Sequence, residues 1–370
     1  VWIMAYTSID DPAQYFNTLL YTGNGATSSA GTTARTLTGV GFQPDWVWVK
    51  ERSNTEGHFL QDSVRGASKV LFSNLRNAEV DSLTDYSDGG LNGFTSDGFT
   101  IGSGHAGNSN NINTNSETYV AWNWKAGTAF TNDASSTGIG SLDSAGSVNE
   151  TAGFSIVTYS AVGANHTVKH GLSTTPHLII FKSRNSSSQG WVVFHQSIAN
   201  TKFVRLNETD GANTSTDGTG NFNSTSPTSS VFSIGTALAT GENGKNIVCY
   251  CFSERKGYSK FGSYTGNGNA DGTFVYTGFK PAWVMVKRTD STGQWGIADN
   301  KRGVAPSGEF LFAEDNGSTN SASNNFDFLS NGFKSRADYA ANNTSSATYI
   351  YLAFAESPFV NSNGVPTNAR

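Results

Sequence analysis

Asp62-Ser-Val-Arg65-Gly66 and Asp299-Asn-Lys-Arg302-Gly303 repeat one arrangement, a carboxylate and a guanidinium three residues apart. In both, Asp falls 18 residues and Arg 21 residues after a proline, Pro44 or Pro281. Glycoside hydrolysis would need a second carboxylate, and general acid–base chemistry a poised base, at fixed spacing. Neither recurs. Asp62, Arg65, Asp299 and Arg302 therefore read as structural, a turn closed by a local ion pair. By residue count, the middle of the chain carries Phe194 and Ser197 at the corresponding places.

The remaining reactive residue types give less. His166 and His170 have the four-residue spacing of a helical zinc pair. Their segment reads as extended, which sets them ~13 Å apart at ~3.3 Å per residue, too far to share a metal. Asp210, Asn213 and Asp217 form an oxygen-rich loop able to approach a calcium ion, without the spacing of a helix–loop–helix calcium site. Gly23-Asn-Gly25 and Gly266-Asn-Gly268 look like half of a phosphate loop, but no helix follows to supply its N-terminal amides. Cys249 and Cys251 lie two apart in one strand and read as buried thiols rather than a disulfide. Trp46, Trp48, Trp122, Trp124 and Trp283 fall in strands and read as core. Trp191 and Trp295 follow polar loops and are the candidates for stacking on a sugar ring. No cofactor is expected.

The elements that must position these residues repeat three times. Openings are Tyr21-Thr-Gly-Asn-Gly25, a degenerate Tyr159-Ser-Ala-Val-Gly163, and Tyr264-Thr-Gly-Asn-Gly268. A proline-led apolar strand follows, with Lys50, Lys182 and Lys287 each six residues after Pro44, Pro176 and Pro281; proline is tolerated where a strand starts. Ser96-Asp-Gly-Phe99, Ser229-Ser-Val-Phe232 and Ser330-Asn-Gly-Phe333 come next. Each copy closes on an aromatic strand, Thr118–Trp124, Asn246–Phe252 and Thr348–Phe354. Ordered markers at near-equal spacing predict homologous units.

The expected class is all-β, three tandem antiparallel β-sandwich repeats of jelly-roll or Greek-key kind. The expected divisions are an arm over 1–17, repeats over 18–127, 154–257 and 258–359, a linker over 128–153, and an extended tail over 360–370. The one helical window, Val64–Leu71, is short and contains Gly66. The polar stretch Asn207–Pro227 reads as a variable surface loop. The chain opens at Val1 without a leader and reads as starting inside a longer or processed protein.

Composition narrows the function. Charged residues are 14% of the chain, against a usual ~25%. Aromatics reach 12%, which excludes wholesale disorder. A net charge of -5 argues against a nucleic-acid or anionic-membrane surface. No apolar run approaches the ~18 residues of a membrane-spanning helix.

The phrases Gly41-Phe-Gln-Pro-Asp-Trp-Val-Trp-Val-Lys50, Asp62-Ser-Val-Arg-Gly66, Glu117-Thr-Tyr-Val-Ala-Trp-Asn-Trp-Lys125, Gly262-Ser-Tyr-Thr-Gly-Asn-Gly268 and Ala353-Phe-Ala-Glu-Ser-Pro-Phe359 resemble a family of uncharacterised repeat domains in structural and tail proteins of tailed, mostly marine bacteriophages. The resemblance implies a virion component exposed on the particle, a tail fibre, spike or other appendage. Its expected partners are other virion proteins, copies of itself (a trimer as in fibres) and host surface polysaccharide. The alternatives are a capsid decoration, a polysaccharide depolymerase and a secreted bacterial adhesin. The family carries no catalytic residues to transfer, and the expectation is a protein that is not an enzyme.

Overall fold

The computed structural model describes residues 6–29, 32–105, 111–213, 217–303, 307–319 and 326–367. Strands make up 44% of the chain and helix 3%. Each unit has one large inner sheet and one small outer sheet.

The four main inner strands run in the same order in every unit. The opening strands are Phe16–Thr22, Phe154–Ser160 and Ser259–Thr265. The lead strands are Trp46–Glu51 and Leu178–Ser183, just after Pro44 and Pro176, and Phe279–Arg288, which contains Pro281. Follower strands are His58–Asp62, Val192–His195 and Trp295–Asp299, and closing strands are Thr118–Trp124, Asn246–Phe252 and Thr348–Pro358. In each sheet the closing strand lies between the opening and lead strands, and the follower lies outside the lead. A further flanking strand lies outside each follower: Gly66–Phe72, Val204–Arg205 and Leu311–Phe312; in the first unit Val80–Asp81 pairs beyond it.

Side-chain alternation explains why the lead strands are apolar on both faces. Trp46 and Trp48, Leu178 and Ile180, and Trp283 and Met285 all enter one central core shared by the three units. The intervening Val47 and Val49, Ile179 and Phe181, and Val284 and Val286 enter three separate cores beneath the outer sheets. Closing strands divide the same way: Tyr250 and Phe252 face the centre, while Cys249 and Cys251 face the second unit's own core. Both thiols are free and buried. Trp46 stacks on Tyr250 across units at 4.2 Å between centroids. Each such ring contributes about 1.5–3 kcal/mol through burial, so the shared centre holds the units together.

Several segments differ from expectation. The stretch read as a linker contains Thr128–Asn132 and Ser144–Asn149, which extend the second inner sheet to seven strands. Its polarity comes from the solvent-facing side of an added hairpin. The arm read over 1–17 includes core residues Ile9 and Phe16, each 2% exposed. The tail turns back instead of extending, with Val360 bridging Pro366 and Ser362 donating to Asp10. The helical window is the strand Gly66–Phe72; Gly66, at φ 105°, makes the turn into it. A short helix, Asp217–Phe222, stands within the loop read over Asn207–Pro227.

Register also changes the equivalence of the middle unit. Asp62 pairs with Trp46 and Asp299 with Trp283, but it is His195 that pairs with Leu178. One extra residue before the second follower strand shifts the count, so His195, not Phe194, occupies the Asp position.

Candidate functional site

The repeated ionisable residues meet at the seams between units. Lys50, Lys182 and Lys287 are fully buried. Lys50 of unit one donates to the carbonyl of Asn316 in unit three at 3.2 Å. Lys182 of unit two donates to that of Arg76 in unit one at 3.1 Å, and Lys287 of unit three to that of Thr209 in unit two at 2.6 Å. The acceptors stand four residues past the ends of the three flanking strands. Burial lowers all three ammonium groups to about 8. Backbone carbonyls solvate each charge where water is excluded.

Ring nitrogens follow the same cycle. Trp191 Nε1 donates to Phe72 O and Trp295 Nε1 to Arg205 O, each at 2.8 Å. His58 Nε2 lies 3.0 Å from Phe312 O. The Asp position bonds in the opposite sense around the ring. Asp62 accepts from Tyr250 Oη at 2.8 Å and Asp299 from Trp122 Nε1 at 2.9 Å, while His195 Nε2 lies 3.3 Å from Tyr351 O. All three seams therefore carry the same set of bonds, and the units close a ring. Arg65 and Arg302 hold Asp62 and Asp299 at 2.5 and 2.6 Å. Glu79 joins Arg65 to Arg184, adding an ion-pair bridge at the seam between units one and two.

This geometry disposes of the sugar-stacking candidates from sequence. Trp191 and Trp295 are fully buried, their indoles consumed at seams, and present no ring face to a ligand. The polar loops before them suggested exposure, but Trp295 opens a follower strand and Trp191 immediately precedes one, each covered by the neighbouring unit. The oxygen-rich loop is pinned likewise: Ala212 N donates to Thr289 O and Asn213 N to Phe203 O. Asp210 is exposed, and the side chain of Asp217 lies outside the described residues. Among the described residues no cluster of three or more His, Cys, Asp or Glu could hold a metal. His166 bonds Ser141, while buried His170 bonds Thr228 and Leu172.

The exposed aromatics lie elsewhere. Phe274 and Tyr276 are 44% and 49% exposed on Phe274–Tyr276, the edge strand of the third outer sheet. Val275 between them is buried. Tyr6 Oη lies 3.4 Å from Tyr276 Oη and donates to Gly278 O. A Cβ on Gly278 would meet Tyr6 Oη at 2.6 Å, so glycine admits this convergence. Lys260 Nζ sits 5.5 Å from the Tyr276 ring centre and Lys256 Nζ 4.4 Å from that of Tyr6. The signal in sequence was the alternation of Thr273-Phe-Val-Tyr276, two aromatics on one face.

A family model described as a domain of unknown function, DUF7483, matches residues 11–358, all three units together. The chain belongs to this family. No curated protein and no solved structure matches it.

In this DUF7483 chain the opening motif is a structural clasp. Tyr21 stacks on Tyr119 and donates to Ile112 O; Tyr264 stacks on Tyr349 and donates to Asn342 O. Asn113 and Asn343 bond the turn asparagines Asn24 and Asn267. An open groove of about 800 Å³ crosses the second unit beside the added hairpin. Asn132, Asp133, Asp143 and Arg184 line it, and Arg184 already pairs with Glu79.

Proposed function

We propose that this chain is a non-enzymatic structural component of a tailed-phage particle, a fibre, spike or similar appendage that contacts host surface saccharide. The observation carrying the structural part is the seam chemistry: the ionisable residues that recur between units are occupied in joining them. Asp62 and Asp299 are buried against Arg65 and Arg302 and cannot serve as a free acid or base. The phage setting follows from the resemblance of the repeated phrases. Because the units close around a core within one chain, a homotrimer would associate through outer surfaces.

Immunogold electron microscopy with antibody against this chain tests the reading. Label on the distal tail or its fibres is expected. Label spread over the capsid would replace the appendage with a decoration, and particles without label would overturn the virion assignment. Sedimentation at micromolar concentration tests the trimer, and a monomer there would remove it.

A further inference from the structure

The three units serve as controls for one another. Val275 pairs with Phe333 in the third outer sheet, Leu37 with Phe99 in the first, and Val168 with Phe232 in the second. Phe274 and Tyr276 therefore correspond to Thr36 and Thr38 in unit one, and to Thr167 and Lys169 in unit two. The fold accepts small or polar residues at both positions. Two exposed aromatics in unit three are not demanded by folding.

Their surroundings differ too. In unit two the added hairpin approaches this face, with Leu142 bridging Val168 and Lys169 standing over Phe130. In unit three the aromatic strand stays at the sheet edge. The ammonium groups of Lys256 and Lys260 stand over the rings of Tyr6 and Tyr276. A cationic fringe around aromatic faces, on a chain of net charge -5, selects a ligand with apolar C–H faces and negative charge.

We propose that the outer edge of the third unit is a binding site for an anionic saccharide of the uronate class. Phe274 and Tyr276 supply stacking faces, and Lys256 and Lys260 attract the carboxylate. The proposal rests on the reading of this protein as a saccharide-contacting appendage and locates that contact.

The test uses the full chain and a double variant, Phe274→Thr with Tyr276→Thr, which installs the residues of unit one. Both are titrated against immobilised alginate and hyaluronate, with dextran as the neutral control, and thermal unfolding is recorded for each. Expected are binding to a uronate polymer but not to dextran, weakening with salt, and an affinity loss of about ten-fold or more in the double variant at unchanged melting temperature. Equal uronate binding by both proteins would overturn this site and leave the saccharide reading standing. Binding to dextran as strong as to the uronates would remove the anionic class. No binding by the wild type would overturn the site and the saccharide contact together, while the immunogold result would still decide the virion assignment. Loss of self-association in the variant, without a change in saccharide binding, would reassign the face to a second copy of the chain.

Discussion

His195 sits opposite Leu178 as Asp62 and Asp299 sit opposite Trp46 and Trp283. Its Nδ1 accepts from Ser197 N, where Asp62 accepts from Val64 N and Arg65 N. An acceptor is needed there, but no carboxylate, because the middle unit has no Arg to pair with one. Burial lowers the imidazole from 6.5 to about 4. The unfolded chain therefore takes up a proton before the folded chain does. Stability from this group is complete above pH 6.5 and is lost as pH falls towards 4. His195→Gln should be less stable than wild type at pH 8 by ~1–2 kcal/mol, with the gap narrowing by pH 4.5. Urea denaturation at the two pH values checks this; a constant gap would count against a neutral buried imidazole. Glu314 is the opposite case. It accepts from Trp295 N, as Asn207 accepts from Trp191 N and Asn74 from His58 N. Burial raises it from 4.5 to about 7. Its folded form holds a proton that the unfolded chain has released, so its contribution is complete below pH 4.5 and lost as pH rises through 7. Glu314→Gln should gain roughly 1–3 kcal/mol at pH 8 and converge with wild type below pH 4.5. Identical pH profiles would refute it.

Among the elements, lead and closing strands do two jobs. One face fills a unit's own core and the other fills the shared centre, which is why neither strand alternates polar with apolar. The ends of the follower and flanking strands then make the seams. Tyr250, on a closing strand, donates to Asp62 and accepts from Arg65 in the adjoining unit. Tyr250→Phe leaves a buried carboxylate short of one donor and should cost ~1–3 kcal/mol. The denaturation midpoint should fall with the m-value unchanged. A loss below ~0.5 kcal/mol would mean that Arg65 alone satisfies Asp62.

Over the whole molecule, the shared centre makes three sequence repeats one folding unit. Each inner sheet buries its Trp, Tyr and Phe residues against the other two, so a separated unit would expose a wide apolar face. Heat unfolding should be a single cooperative transition, with calorimetric and van't Hoff enthalpies nearly equal and near-ultraviolet and far-ultraviolet signals coincident. Three resolved transitions would show that the units fold independently, and the ring would then be a weak association.

The sequence by itself determined the class, the threefold repetition and the burial of the strand tryptophans. These follow from strand periodicity, turn residues and spacing, which are local properties of the chain. It also carried the Asp–Arg turns, since partners three residues apart find each other without tertiary help. It did not reveal that His195 replaces Asp, because one inserted residue defeats counting and only hydrogen-bond register restores it. It put Trp191 and Trp295 beside polar loops, yet a neighbouring unit covers them. Strands buried on both faces fit units in a row as well as units around one centre. Only the tertiary structure chose the ring, because closure depends on contacts between residues more than a hundred apart in sequence, as Trp122 with Asp299 shows.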